Sequence, residues 1–143
     1  ICIPAYAYNL RSEVTRFQTN ALIFSGTANL ELSQKIADYL DLPLGKATVD
    51  RFNDGEIKIQ IKESVRNKHV FIVQPVCTNL EQSVNDNLIE LFLLIRTMKR
   101  ASAGEITVVI PYYGYARQDR KVKSRVPISA ADVAFMLEEA GAD

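Results

Sequence analysis

The chain has 143 residues, 48% of them apolar and 24% charged, with 17 basic and 17 acidic side chains. That length holds one domain with its own core, and a formal net charge of zero excludes a global field that would draw the protein to nucleic acid or a membrane surface. Cys2 and Cys77 are too few and too far apart for a disulfide framework or a zinc site, so free thiols in a reducing compartment such as the cytoplasm are expected. No apolar run nears the ~20 residues that span a bilayer.

Residues 1–20 mix Pro4, three aromatic rings and three charges before any periodicity appears. They read as an arm, with the end of a targeting segment as the alternative. Ala21-Leu22-Ile23-Phe24 reads as a short buried strand, and Ser25-Gly26-Thr27 as a turn. Leu32, Ile36, Ala37 and Leu40 then recur at helical spacing, closed by Leu42-Pro43-Leu44-Gly45. Ile57, Ile59 and Ile61 alternate with Lys58, Gln60 and Lys62, which predicts a strand with one wet face. Val70 to Val73 suits a strand covered on both faces. After a polar loop from Thr78 to Asp86, Leu88, Leu91, Phe92, Ile95 and Met98 mark a long amphipathic helix ending in Lys99-Arg100. Ile106 to Ile110 predicts the next buried strand. Ser129 is expected to cap a helix whose inner face is Val133, Met136, Leu137 and Ala140, ended by Gly141. Alternating strands and helices imply an α/β fold, with a mostly parallel sheet flanked by helices on both faces. Asp143 comes where such a fold would normally begin another strand, so a larger protein is expected.

Two loops carry the candidate chemistry. Arg51-Phe52-Asn53-Asp54-Gly55-Glu56 precedes the alternating strand, and its plainest reading is a tight turn. It also offers an aromatic ring to stack on a base, and two carboxylates to accept from an amino group or a ribose. The second loop packs five positive charges into the nine residues Arg117 to Arg125. Most such runs are simply solvated. Here, however, Pro111-Tyr112-Tyr113-Gly114-Tyr115 leads into it from a buried strand, where open α/β sheets bind ligands. Arg117 suits phosphate and Gln118 a base or ribose. Ser124, Arg125 and the following helix start offer a second anion site. His69, the single histidine, opens a buried strand and reads as structural. No Walker phosphate loop, HExxH zinc motif or nucleophile elbow is present.

Several blocks, in order, resemble ribose-phosphate pyrophosphokinase over Leu22 to Asp143. They are Ile23-Phe24-Ser25-Gly26, Leu32 to Ala37, Phe52 to Glu56, Glu63-Ser64-Val65-Arg66, Asn85 to Leu91, Tyr115 to Lys121 and Ser124 to Ala130. The resemblance implies transfer of a diphosphoryl group from ATP to ribose 5-phosphate, giving phosphoribosyl diphosphate and AMP for nucleotide biosynthesis. It further implies a phosphoribosyltransferase-like (type I) domain, the amino-terminal one of two over residues 21–143, in a dimer-based homo-oligomer expected to be a hexamer. Implied ATP-binding residues are Phe52, Asp54, Gly55 and Glu56 of one subunit, facing Arg117 and Gln118 of its neighbour. Ser64, Arg66, Lys123, Ser124 and Arg125 match positions lining a phosphate- or ADP-responsive site. Mg²⁺ is implied with ligands beyond Asp143, so no catalytic or metal residue is expected here and the chain alone should be inactive. Nucleic acid and membrane are not expected partners. Two departures stand out: the extra arm before Ala21, and a longer loop from Pro75 to Asp86. The alternatives are a catalytically silent homologue that assembles with active subunits, and a phosphoribosyltransferase, against which the basic loop argues.

Overall fold

A computed structural model describes residues 20–143, so the arm lies outside the described residues except for its last position. In chain order the elements are β1 (Ala21–Ser25), α1 (Leu30–Tyr39), β2 (Ala47–Arg51), β3 (Ile57–Ile61), β4 (His69–Val73), α2 (Val84–Arg100), β5 (Glu105–Val109) and α3 (Ser129–Ala140). β1, β4 and β5 form a parallel sheet in the order β1-β4-β5, with Ile23 opposite Phe71 and Phe71 opposite Thr107.

Alternation within these strands divides the core. Phe24, Val70, Ile72 and Ile106 point to one face, where they meet Leu91, Leu94, Ile95 and Met98 of α2 with Val133 and Leu137 of α3. Ile23 and Val73 point to the other face, under Ala37 of α1. Helices therefore cover both faces, as the sequence predicts. Each fully buried aliphatic or aromatic side chain contributes about 1.5–3 kcal/mol relative to exposure, so the α2 face carries most of the stability. Asn29 caps α1, accepting from the Leu32 N–H at 3.0 Å. His69 lies between Thr107 Oγ1 at 2.8 Å and Glu105 at 3.4 Å and stacks on Phe71. Its surroundings fit the structural role expected of it.

Three expectations need correction. The alternating strand is not part of the parallel sheet. As β3 it pairs antiparallel with β2, an element the sequence reading did not mark, and Ala47 stands opposite Ile61 in a separate two-stranded ribbon. The apolar side of that ribbon, Val49, Ile59 and Ile61, packs on the α2 core, which fixes the pairing. α2 begins at Val84, inside the stretch read as polar loop, because Ser83 and Asp86 form a reciprocal capping box. Ser129 does not cap α3; Ile128 occupies the cap without any side-chain bond, and the Ser129 hydroxyl turns elsewhere.

Candidate functional site

The parallel strands share one carboxyl end, the side of an open α/β sheet at which ligands bind. The Gln74 side chain, just past β4, lies completely buried with Asn87 and Glu90 of α2. Glu90, 1% exposed, accepts from the Thr27 N–H at 2.6 Å, the Thr27 hydroxyl at 2.7 Å and Gln74 Nε2 at 2.9 Å. Gln74 Oε1 accepts from the Ala28 N–H at 3.2 Å, and Asn87 donates to the Cys77 carbonyl at 2.6 Å. A buried carboxylate needs that much compensation. The knot ties the turn after β1 to the loop after β4. The sequence carries a signal for it, a Glu inside an apolar helical stripe.

Beside this knot opens a cleft of about 470 Å³ between the start of α2 (Val84, Asn85) and the segment Tyr112 to Gln118. Gly114 sits where that segment presses on the body. A Cβ there would come within 2.6 Å of the Val76 carbonyl and 2.9 Å of Val84, so only glycine allows the approach. Tyr115 follows in the left-handed region at φ +67° and donates its phenol to Asn85 Oδ1. Tyr113 donates to the Ala130 carbonyl at 2.8 Å, and burial pushes its phenol above the ordinary 10.0, which keeps that donor protonated.

Arg117 and Gln118 both line the cleft. Arg117 is exposed and pairs with no carboxylate among the described residues, which leaves its guanidinium available. Gln118 is held instead: its backbone carbonyl accepts from the Ala130 N–H at 3.2 Å, and its Oε1 accepts from the Ser129 hydroxyl at 2.6 Å.

The other candidate cluster forms the tip of the β2–β3 hairpin, and the tight-turn reading is correct as geometry. The Phe52 N–H donates to Glu56 at 2.8 Å, the Gly55 N–H donates to Phe52 at 2.9 Å, and Gly55 takes φ +92°. Asp54 accepts from the Glu56 N–H at 3.1 Å, so one of its oxygens already serves the turn. Phe52 remains 51% exposed, with Lys58 Nζ 5.6 Å from its ring centre. Arg51 buttresses the tip through the Gly55 carbonyl at 3.1 Å and approaches Asp86 at 3.8 Å. The Ser83 hydroxyl and N–H hold the Asp86 carboxyl below its ordinary 3.8, and Arg51 adds to the effect. Gly55 and Glu56 border a second groove of about 370 Å³ on the other side of Asn85.

Within one chain, then, Arg117 and Gln118 share a cleft, whereas Phe52 and Asp54 do not line it. Asn85 borders both spaces. The anion-site residues are also divided. Arg66 lies near the amino end of β5 through its bridge to Ala103, while Lys123, Ser124 and Arg125 follow the opposite end. Among the described residues no group of three or more His, Cys, Asp or Glu side chains is placed to hold a metal ion, and no helix is long and apolar enough to cross a membrane.

Residues 21–141 match the model of the N-terminal domain of ribose phosphate pyrophosphokinase. The chain is 58% identical over 120 residues to a ribose-phosphate pyrophosphokinase of Wolinella succinogenes, covering 84% of this chain and 38% of the relative. It is 48% identical to ribose-phosphate pyrophosphokinase 1, chloroplastic, of Arabidopsis thaliana, covering 99% of this chain and 34% of the relative. The chain thus spans little more than a third of such relatives. A crystal structure of phosphoribosylpyrophosphate synthetase from Mycobacterium smegmatis superposes with a TM-score of 0.76 at 40% identity, over 87% of this chain and 40% of that one.

Proposed function

Since the chain belongs to the family of N-terminal domains of ribose phosphate pyrophosphokinase, we propose that it supplies the ATP-binding part of a ribose-phosphate diphosphokinase. The full-length protein transfers the β,γ-diphosphoryl group of ATP to ribose 5-phosphate, releasing phosphoribosyl diphosphate and AMP. The observation that carries this reading is the aromatic cleft of about 470 Å³ that holds, beside an anchored Gln118, an Arg117 with no carboxylate partner among the described residues. A guanidinium facing solvent in such a cleft suits a triphosphate, which it binds through paired N–H donors. Diphosphoryl transfer needs positioning and charge neutralisation more than a protein nucleophile, and Arg117 serves both.

The exposed Phe52 ring, with Asp54, Gly55 and Glu56 behind it, closes the same nucleotide from a neighbouring subunit of a dimer-based homo-oligomer, a hexamer. Two facts support this sharing: the hairpin tip is closed by its own hydrogen bonds with the Phe52 ring left exposed, and none of residues 52–56 lines the Arg117 cleft of its own chain. By the same logic Ser64 and Arg66 of one subunit and Lys123, Ser124 and Arg125 of another form a phosphate- or ADP-responsive anion site. Mg²⁺ accompanies the reaction, and no residue of this chain is assigned to it. Residues 21–143 are one domain of two. We place the protein in the cytoplasm; a plastid is the rival, favoured by the Arabidopsis match extending over 99% of the chain.

The test is a direct one. Full-length protein incubated with ATP and ribose 5-phosphate should form AMP and phosphoribosyl diphosphate in equal amounts. ATP binding without AMP release would favour the catalytically silent homologue. ADP as the product would end the proposal.

A further inference from the structure

We infer that Ser129 is a positioning residue that fixes which end of the Gln118 amide faces the nucleotide, so that the cleft presents N–H donors at both 117 and 118. This rests on the reading of the cleft as the ATP site and adds the polarity of its recognition. The observation is the double grip of the α3 start on one residue. Gln118 gives its backbone carbonyl to the Ala130 N–H at 3.2 Å and its Oε1 to the Ser129 hydroxyl at 2.6 Å. Tyr113 fixes the helix start from beneath, through the Ala130 carbonyl at 2.8 Å.

Two features of the helix start favour this orientation. The Ser129 hydroxyl, which can donate or accept, here donates to the amide oxygen. The amino end of α3 also carries a partial positive charge, which draws the negative end of the amide dipole toward the helix. Ser129 stands at the first helical position yet caps nothing, and α3 has no side-chain cap at all. Its hydroxyl is spent on Gln118 instead. With Oε1 taken, Gln118 Nε2 is directed away from the helix and has no partner among the described residues. Arg117 next to it offers only donors. The bound nucleotide must therefore present acceptors to both, such as a ring nitrogen, a ribose oxygen or a phosphate oxygen. A ligand with an N–H at the Gln118 contact is rejected.

The test uses full-length protein and ATP as the probe. Ser129→Ala frees the amide to turn over and should raise the KM for ATP by about 3- to 10-fold, the loss expected of one oriented hydrogen bond. The KM for ribose 5-phosphate should not move, and kcat should change less than the KM for ATP. Ser129→Thr keeps the hydroxyl and should restore the parent KM. Gln118→Glu, which replaces the donor by an acceptor, should cost more than Ser129→Ala. In a Gln118→Ala background, Ser129→Ala should add nothing, because the two side chains act as one. An unchanged KM for ATP in Ser129→Ala, a failed rescue by Thr, or full additivity overturns the inference while leaving the proposed function standing. If the parent protein binds ATP without turnover, the proposed activity fails, and the same comparisons are made on Kd by calorimetry. If it binds no ATP, both fall.

Discussion

Two sets of polar side chains belong to the segments around the carboxyl end of the parallel sheet, and they are treated in opposite ways. Glu90, Gln74 and Asn87 are buried, and their hydrogen bonds go to one another, to Thr27 and to neighbouring backbone. Arg117, Lys121, Lys123 and Arg125 are exposed and take part in no ion pair among the described residues. The first set is costly to disturb because a buried group that loses its partner retains its desolvation penalty. The second leaves the fold almost untouched when altered, since water already satisfies it. A charge kept unpaired next to a cleft, on a body that satisfies its polar groups carefully elsewhere, is what a ligand site requires.

The comparison breaks or sharpens most decisively at Glu90. Glu90→Ala strands the Thr27 N–H and the Gln74 amide and should lower stability by about 3–5 kcal/mol, read from denaturant midpoints. A loss below ~1 kcal/mol would show that the knot is not structural. Arg117→Ala should do the reverse. Its unfolding midpoint should stay within ~0.5 kcal/mol of the parent, while ATP-dependent activity of the full-length protein drops about tenfold or more. Unaltered ATP dependence would remove Arg117 from the site. Phe52→Ala should cost less, about 0.5–1 kcal/mol of nucleotide affinity, and only in the assembled protein. Equal ATP affinity in mutant and parent oligomers would refute a shared site. Smallest is the acid limb. Asp86 has a folded pKa depressed below 3.8, so its contribution is present above that value and is lost as pH falls through the folded pKa. Asp86→Asn should therefore show a shallower decline in Tm on acidification below about pH 4 than the parent. Parallel curves would discard the assignment.

The central strands were legible because continuous apolar runs such as Val70 to Val73 leave little choice, and α2 because its stripe repeats over several turns. β2 was not. Ala47 and Asp50 give it weak strand character, and it forms because Ile59 and Ile61 supply a partner held down by the core. The start of α2 was hidden for a similar reason: Asn85, Asp86 and Asn87 look like a loop until Ser83 and Asp86 close on each other. For the candidate site, residue types were enough to nominate Arg117 and the hairpin tip, since charge and aromaticity are visible in the letters. The roles of Asn85 and Ser129 depend on what lies across space from them, which no local pattern encodes.

Asn85 illustrates the burden this places on a single position. Its amide oxygen receives the Tyr115 phenol on one side, while its flank borders the hairpin groove on the other. A replacement suited to one neighbour has to be tolerated by the second, so an isosteric carboxylate keeps the acceptor, whereas a branched hydrocarbon forfeits it. Drift at the tip of the ribbon and drift in the basic segment are thereby both answerable to one small side chain, and the two loops are not free to diverge independently.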